Sequence, residues 1–166
     1  MSEKVFAYGS NMCSGRLREY KVTPEEPGRT AVLRDYRLVF NKESRDGSGK
    51  ANVEIQTGSA VWGVLHSIKE VDLRRLDTGE VGYRRQRVVI YTSDGTATET
   101  WIYIATSPSG DRGLRPYTWY KRFLVEGGKA HSLPQEHINA LEGIEAIQDQ
   151  DELRDRRNRA ITCFDS

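Results

Sequence analysis

The sequence predicts an α+β fold in which a mixed β-sheet curls into a small barrel with a few flanking helices. Two observations carry this. Strand-like apolar runs outnumber helical segments, and they lack the regular strand–helix alternation of a doubly wound sheet. The chain is also one domain long: 166 residues, with 8 Tyr, 4 Phe and 3 Trp to seed a core. No internal repeat or low-complexity linker divides it.

The elements follow in order. Val5-Phe6-Ala7-Tyr8 is a short apolar run broken by Gly9-Ser10-Asn11, the pattern of a buried strand entering a turn. Residues 12–20 suit a short helical turn, and Thr23 to Gly28 a Pro-containing loop. Ala31 to Asn41 alternates partly and reads as a strand, and Lys42 to Lys50 as a loop rich in Gly, Ser and charge. Residues 51–55 and 60–65 read as two strands joined by a turn at Thr57-Gly58-Ser59.

Ser67-Ile-Lys-Glu70 has the form of a capping box, Ser accepting a free N–H and Glu reaching back, so a helix is expected from there. Ile68, Val71, Leu73 and Leu76 would be its apolar face and Thr78-Gly79 its end. Tyr83–Tyr91 and Thr98–Thr106 are strands joined through Ser93-Asp94-Gly95. Pro116 suits the first turn of a helix carrying Tyr117, Tyr120, Phe123 and Leu124, ended by Gly127-Gly128. Ser132-Leu-Pro-Gln135 forms a second capping box. The helix after it would show Ile138, Leu141, Ile144 and Ile147 on one face.

Charge and composition exclude several function classes. Lys and Arg total 25 against 24 Asp and Glu, so the basic excess of a nucleic-acid binder is missing. No apolar run approaches the roughly 18 residues of a membrane span. The first residues show no basic-then-apolar leader, and a cytoplasmic protein is expected. Cys13 and Cys163 lie near opposite ends, and one such pair is not a disulfide framework. No metal site is expected: His66, His131 and His137 form no recognised ligand spacing, and no Cys-x-x-Cys or His-Glu-x-x-His occurs.

Five local signals bear on chemistry. Gly49-Lys50 suggests a phosphate loop, but Ser44 stands where that loop needs Gly and Ala51 where it needs Ser or Thr, so it reads as an ordinary loop with a lysine. Cys13 could be a nucleophile with His66, yet nothing orders such a pair, and a structural thiol is the simpler reading. The turn Tyr8-Gly9-Ser10-Asn11 can point successive N–H groups into one concavity, suited to a carboxylate or developing oxyanion. Glu80, between Gly79 and Gly82 at a helix–strand junction, is either a solvated turn carboxylate or a buried one. If buried, its pKa rises toward a range useful for proton transfer. Tyr120, among Tyr117, Trp119 and Phe123, can pack its ring and present its hydroxyl.

Taken together, these segments resemble the γ-glutamylcyclotransferase family. Phe6-Ala-Tyr-Gly-Ser-Asn-Met12 resembles the family's N-terminal signature, with Met12 in place of the usual Leu. Val61-Trp-Gly-Val-Leu65 resembles its second strand signature, and Leu76-Asp-Thr-Gly-Glu-Val-Gly-Tyr83 the segment bearing its catalytic glutamate. Tyr120-Lys-Arg122 and Ser132-Leu-Pro134 resemble the downstream stretch. The matches run in family order from about Val5 to Glu145.

The resemblance implies an enzyme that needs no cofactor. The α-amine of a small γ-glutamyl substrate would attack the substrate's own γ-carbonyl, forming 5-oxoproline and releasing an amino acid or amine. Glu80 would be the general acid/base. Val5, Phe6, Ala7, Tyr8, Gly9, Ser10 and Asn11 would line the substrate site, and Tyr120 would contact the substrate. Branches acting on γ-glutamylamines usually carry Tyr-Gly-Thr-Leu, and the glutathione-specific branch Leu after Tyr-Gly-Ser. Tyr8-Gly-Ser-Asn11 therefore leans toward the branch that acts on γ-glutamyl amino acids or deprotects an antibiotic precursor. The alternative class is a non-catalytic small-ligand-binding module on the same fold.

The resemblance places a domain at 1–145 and leaves 146–166 as a charged C-terminal tail. The last 22 residues carry six acidic and four basic residues, net −2, leaving the rest at net +3. The tail reads as a solvated helix or frayed end that could also contact the domain or a second copy of the chain. A homodimer is the one macromolecular partner kept open; no nucleic acid and no membrane are expected.

Overall fold

The computed structural model describes residues 1–110 and 113–164. Strand β1 (Ser2–Ala7) leads into a single 3-10 turn (Ser10–Met12) and helix α1 (Ser14–Glu19). Two long strands follow, β2 (Arg29–Glu43) and β3 (Gly49–Lys69), then α2 (Glu70–Gly79), β4 (Tyr83–Thr92) and β5 (Ala97–Ala105). Helices α3 (Thr118–Ala130), α4 (Gln135–Glu142) and α5 (Glu152–Arg159) complete the chain.

The five strands close into a barrel in the order β1-β3-β2-β4-β5. The expected α+β barrel is therefore present. Its seam is parallel, with Val5 of β1 opposite Trp101 of β5, and every other neighbouring pair is antiparallel. The barrel closes through short contacts, Ala31–Thr92 and Val32–Tyr91 between β2 and β4 and Val5–Trp101 at the seam. The apolar run of β1 is buried on both sides. Phe6, Ala7 and Tyr8 join the main core with Met12, Phe123 and Leu141, whereas Val5 joins a second cluster with Leu17, Ile68, Leu73 and Leu76. No helix among the described residues is long and apolar enough to cross a membrane.

Local signals were overruled where pairing or packing offered more. The two strands expected at 51–55 and 60–65 are one strand. Asp35 takes a left-handed conformation (φ 65°) and its Oδ1 accepts the Gly58 N–H at 2.9 Å. Residues 56–59 are thus absorbed as a bulge between the pairs Arg34–Ala60 and Tyr36–Ile55 instead of reversing the chain. The loop expected at 42–50 is shorter, because Lys42 pairs with Lys50.

Neither capping box forms. Ser67 is held in the β1·β3 ladder opposite Lys4, β3 continues to Lys69, and α2 starts at Glu70 without a side-chain cap. Val71, expected on its buried face, is exposed, and Ile68 is buried from the strand. Ser132 sits in a left-handed conformation (φ 56°), and α4 starts after Pro134, again without a side-chain cap. Helix α4 also stops at Glu142. Ile147 is extended instead, its N–H bonding Pro116 O at 3.0 Å and its carbonyl accepting the Thr118 N–H at 2.9 Å.

Gly127 and Gly128 do not end α3, which runs to Ala130. Gly127 lets it approach the 3-10 turn. A Cβ on Gly127 would lie 2.7 Å from the Met12 carbonyl carbon and 2.8 Å from its oxygen. Gly127→Ala, which would favour an exposed helix, is expected to destabilise this one by about 1–3 kcal/mol, because backbone cannot yield as a flexible side chain does. Urea denaturation checks the sign.

Cys13 and Cys163 are joined in a disulfide. This corrects the expectation of two unlinked thiols and removes Cys13 as a nucleophile. Their 150-residue separation hid the proximity: the fold brings their Cα atoms to 4.5 Å. The bond is one of several anchors for the charged C-terminal segment. Buried Asp149 accepts hydrogen bonds from Trp119 Nε1 (2.9 Å) and from Arg154 Nε and Nη2 (both 2.6 Å). Those bonds to Arg154 hold its carboxyl well below the usual range. Arg122 Nη2 donates to the carbonyls of Asn158 (2.9 Å) and Ile161 (2.7 Å). The solvated or frayed end expected from composition is therefore tied to the domain through α5, which sequence periodicity could not show because its contacts are polar.

Candidate active site

The site begins where β1 leaves the barrel. Gly9 lies so close to β3 that an added Cβ would meet the Ala51 Cβ at 3.2 Å and the Tyr120 hydroxyl at 3.5 Å. The chain then makes the 3-10 turn, closed by Met12 N–H to Gly9 O (3.1 Å) and Cys13 N–H to Ser10 O (3.0 Å). The first N–H groups of such a turn have no intrahelical acceptor, so those at Ser10 and Asn11 remain to bind something else.

Glu80 arrives from the other side. It follows α2, its N–H bonding Leu76 O at 2.8 Å, and its carbonyl accepts the Tyr83 N–H at 3.1 Å. These bonds fix the backbone on both flanks and aim the carboxyl at the β1 turn. Asn11 Nδ2 donates to Glu80 Oε1 at 2.5 Å. Asn11 is itself held, because its carbonyl lies 3.0 Å from His66 Nε2. Burial pushes the His66 pKa down to about 4, so the ring is neutral and Nε2–H can donate to that carbonyl. Burial is also the main influence on Glu80 and raises its pKa. The Asn11 hydrogen bond and the charges of Arg16 and Lys42 oppose the rise. The carboxyl is thus enclosed by protein yet reachable through the mouth.

Four tyrosines complete the wall. Tyr83 donates to Ala51 O at 2.7 Å and Tyr120 accepts the Ala51 N–H at 3.0 Å, so one residue of β3 orients both rings. With its oxygen already accepting, the Tyr120 hydroxyl can donate into the cavity. Tyr8 donates to Tyr103 O at 2.5 Å and offers only lone pairs. Burial raises the pKa of Tyr8, Tyr83 and Tyr120, so all three stay protonated.

All nine residues expected at the site line this one cavity. They contribute differently. Val5 and Phe6 are buried packing residues that form its wall, whereas Glu80, Asn11, Tyr120 and the Gly9–Ser10 backbone present polar atoms. Sequence reasoning missed Tyr83, Tyr103 and His66 as contributors. Tyr83 stood inside the quoted Leu76–Tyr83 segment, but nothing local says which way its hydroxyl points. It also missed Lys50, seen only as a stray lysine of a failed phosphate loop. Gly49-Lys50 starts strand β3 and is not part of a loop. The Lys50 ammonium lies 4.3 and 4.4 Å from the ring centroids of Trp119 and Tyr120, at the mouth of the site.

Comparisons with known proteins give the family and the fold. The family model described as "Gamma-glutamyl cyclotransferase, AIG2-like" matches residues 5–122. A Mus musculus protein named gamma-glutamylcyclotransferase is 27% identical over 169 residues, covering 94% of this chain and 86% of its own length. A solved gamma-glutamyl cyclotransferase structure superposes with a TM-score of 0.80 at 26% identity, covering 94% of this chain and 98% of its own. An uncharacterized protein from Homo sapiens gives 0.78 at 26% identity, covering 93% and 97%. With the family model spanning the whole site, from β1 through Glu80 to Tyr120, the chain belongs to the γ-glutamyl cyclotransferase, AIG2-like family.

Proposed function

We propose that the protein cyclises the γ-glutamyl group of a small substrate to 5-oxoproline, releasing an amino acid or amine, with Glu80 moving the proton. The family and its named relatives support γ-glutamylcyclotransferase activity in general. The observation that carries the finer reading is the Asn11–Glu80 hydrogen bond. It ties a buried carboxyl of raised pKa to the turn that offers free N–H groups.

Nucleophile and electrophile belong to one molecule, so the protein's first task is to fold the substrate into an attack geometry. The α-ammonium loses a proton to Glu80 Oε2, the oxygen that Asn11 does not occupy. The freed nitrogen attacks the γ-carbonyl carbon, forming the ring C–N bond. The carbonyl oxygen becomes an oxyanion, which the N–H groups of the Ser10–Asn11 turn, with the Tyr120 hydroxyl, are placed to stabilise. As the carbonyl re-forms, the bond to the leaving nitrogen breaks and Glu80 gives that nitrogen its proton; the carboxylate so freed takes the second proton from the ring nitrogen, leaving a neutral lactam N–H, and passes it to the released amine. One carboxyl serves as base and then acid. Burial suits it to this cycle, because a carboxyl of raised pKa is a stronger base than an ordinary one and holds the proton until the leaving nitrogen needs it.

Incubation with a panel of γ-glutamyl amino acids and γ-glutamylamines, followed by assay of 5-oxoproline, tests the proposal. Release from at least one is expected. Tight binding of γ-glutamyl compounds without release from any would overturn it in favour of a binding module.

A further inference from the structure

Outside the catalytic cavity and sharing Ser10, Glu80, Tyr83 and Tyr120 with it lies a second pocket, and four of its other lining residues, Arg16, Lys42, Arg45 and Lys50, are cationic. Lys42 and Lys50 stand directly opposite each other on β2 and β3, with both side chains at this pocket. Like charges at such a pair are destabilising in a sheet. Arg16 joins them from α1. Its guanidinium carbon lies 5.3 Å from the Tyr20 ring centroid and 5.8 Å from that of Phe123. Its Nε is buried with no hydrogen-bond partner.

The counter-charges are few. Asp46 reaches Lys50 at 3.3 Å, and Glu80 faces the pocket from the catalytic side. Neither Arg16 nor Lys42 has a carboxylate within ion-pair distance among the described residues. The crowding registers on Lys50. Burial, assisted by the charges of Arg16 and Lys42 and opposed by Asp46, brings its pKa down to about 8. Four cations, Arg45 included, face two carboxylates, Asp46 and Glu80, which leaves more positive charge than a single substrate carboxylate would neutralise.

Glu80 must reach both the α-amine and the γ-carbonyl of the cyclising group, so that group fills the inner cavity. The leaving group then extends through the shared boundary into the outer pocket. We propose that this pocket, through Arg16, Lys42 and Lys50, selects a leaving amino acid that carries a side-chain carboxylate in addition to its α-carboxylate. The proposal rests on the γ-glutamyl reading above and deepens it by naming the leaving-group class.

Three substrates separate the outcomes: γ-glutamyl-glutamate, its near-isosteric neutral partner γ-glutamyl-glutamine, and γ-glutamyl-methylamine, which has no carboxylate on the leaving side. At low salt, kcat/KM for γ-glutamyl-glutamate is expected to exceed that for γ-glutamyl-glutamine by about tenfold or more, as one additional charge-assisted hydrogen bond would provide. The ratio should shrink as salt is added. Lys42→Met should bring it toward one, and Lys42→Arg should retain it. Arg16→Met serves as a second variant, and thermal melting of each shows that the fold survives. Equal values for the glutamate and glutamine substrates, both above the methylamine, would overturn the proposal by showing that only the α-carboxylate is read. A ratio unchanged in both Lys42→Met and Arg16→Met would also overturn it. Absence of 5-oxoproline from all three and from the wider panel would overturn the proposed function, and this inference with it.

Discussion

Glu80→Gln is expected to reduce 5-oxoproline formation by at least about a hundredfold while leaving the barrel intact. Gln keeps the length of Glu and an oxygen that can accept from Asn11 Nδ2, so the clamp across the turn survives. What disappears is the ability to take a proton from the α-ammonium and return it to the leaving nitrogen. Turnover near wild type in this variant would remove Glu80 from the mechanism.

The raised pKa adds two dependences on pH. The base form is populated only above the folded-state pKa, so the acidic limb of kcat/KM should lie above that of an ordinary carboxylate. Stability should move in the opposite sense. Between the unfolded and folded pKa values the native state binds more protons at this residue than the unfolded chain, so stability falls as pH rises through that interval. Glu80→Gln carries no such proton and should lack that component of the fall. Urea midpoints measured for both proteins across the interval test it: identical pH slopes would mean that the Glu80 pKa is not raised on folding.

Opening the Cys13–Cys163 bond is expected to cost about 2–5 kcal/mol of stability, because it releases a loop whose ends lie 150 residues apart. Cys163→Ala and chemical reduction should produce the same loss. The effect should be largest where the bond does most. It anchors the segment that crosses Gly15, where an added Cβ would meet the Thr162 carbonyl oxygen at only 2.1 Å. The C-terminal segment would retain Asp149–Arg154 and Arg122, so hydrogen exchange should rise first near residues 160–163 rather than throughout α5. Coincident denaturation curves for oxidised and reduced protein would show that the bond adds nothing.

The elements of the candidate site were legible for a definite reason. The turn Tyr8–Asn11 and the Leu76–Tyr83 segment are short contiguous stretches whose geometry depends on local backbone shape, and both resemble a family signature. The Lys42–Lys50 pair was not legible. It depends on the β2·β3 register, which shifts between the pairs Val39–Asn52 and Lys42–Lys50. The two capping boxes misled for a related reason. Ser67 and Ser132 have the right spacing to cap a helix, but Ser67 gains more from the β1·β3 ladder, and Ser132 lies in a left-handed turn ahead of Pro134.

The sequence by itself determined the α+β class, the order of most elements, the turn after β1, and Glu80 as the candidate carboxyl. These follow from composition, periodicity and contiguous motifs, which act over a few residues. Only the tertiary structure decided the closed strand order, the disulfide between distant cysteines and the docking of the C-terminal segment. It also decided the hydrogen bond that joins Asn11 to Glu80 and the cationic pocket beside them. Each of these depends on side chains brought together across the barrel. Burial and hydrogen-bond geometry there reflect the packing of the whole chain, which no local pattern records.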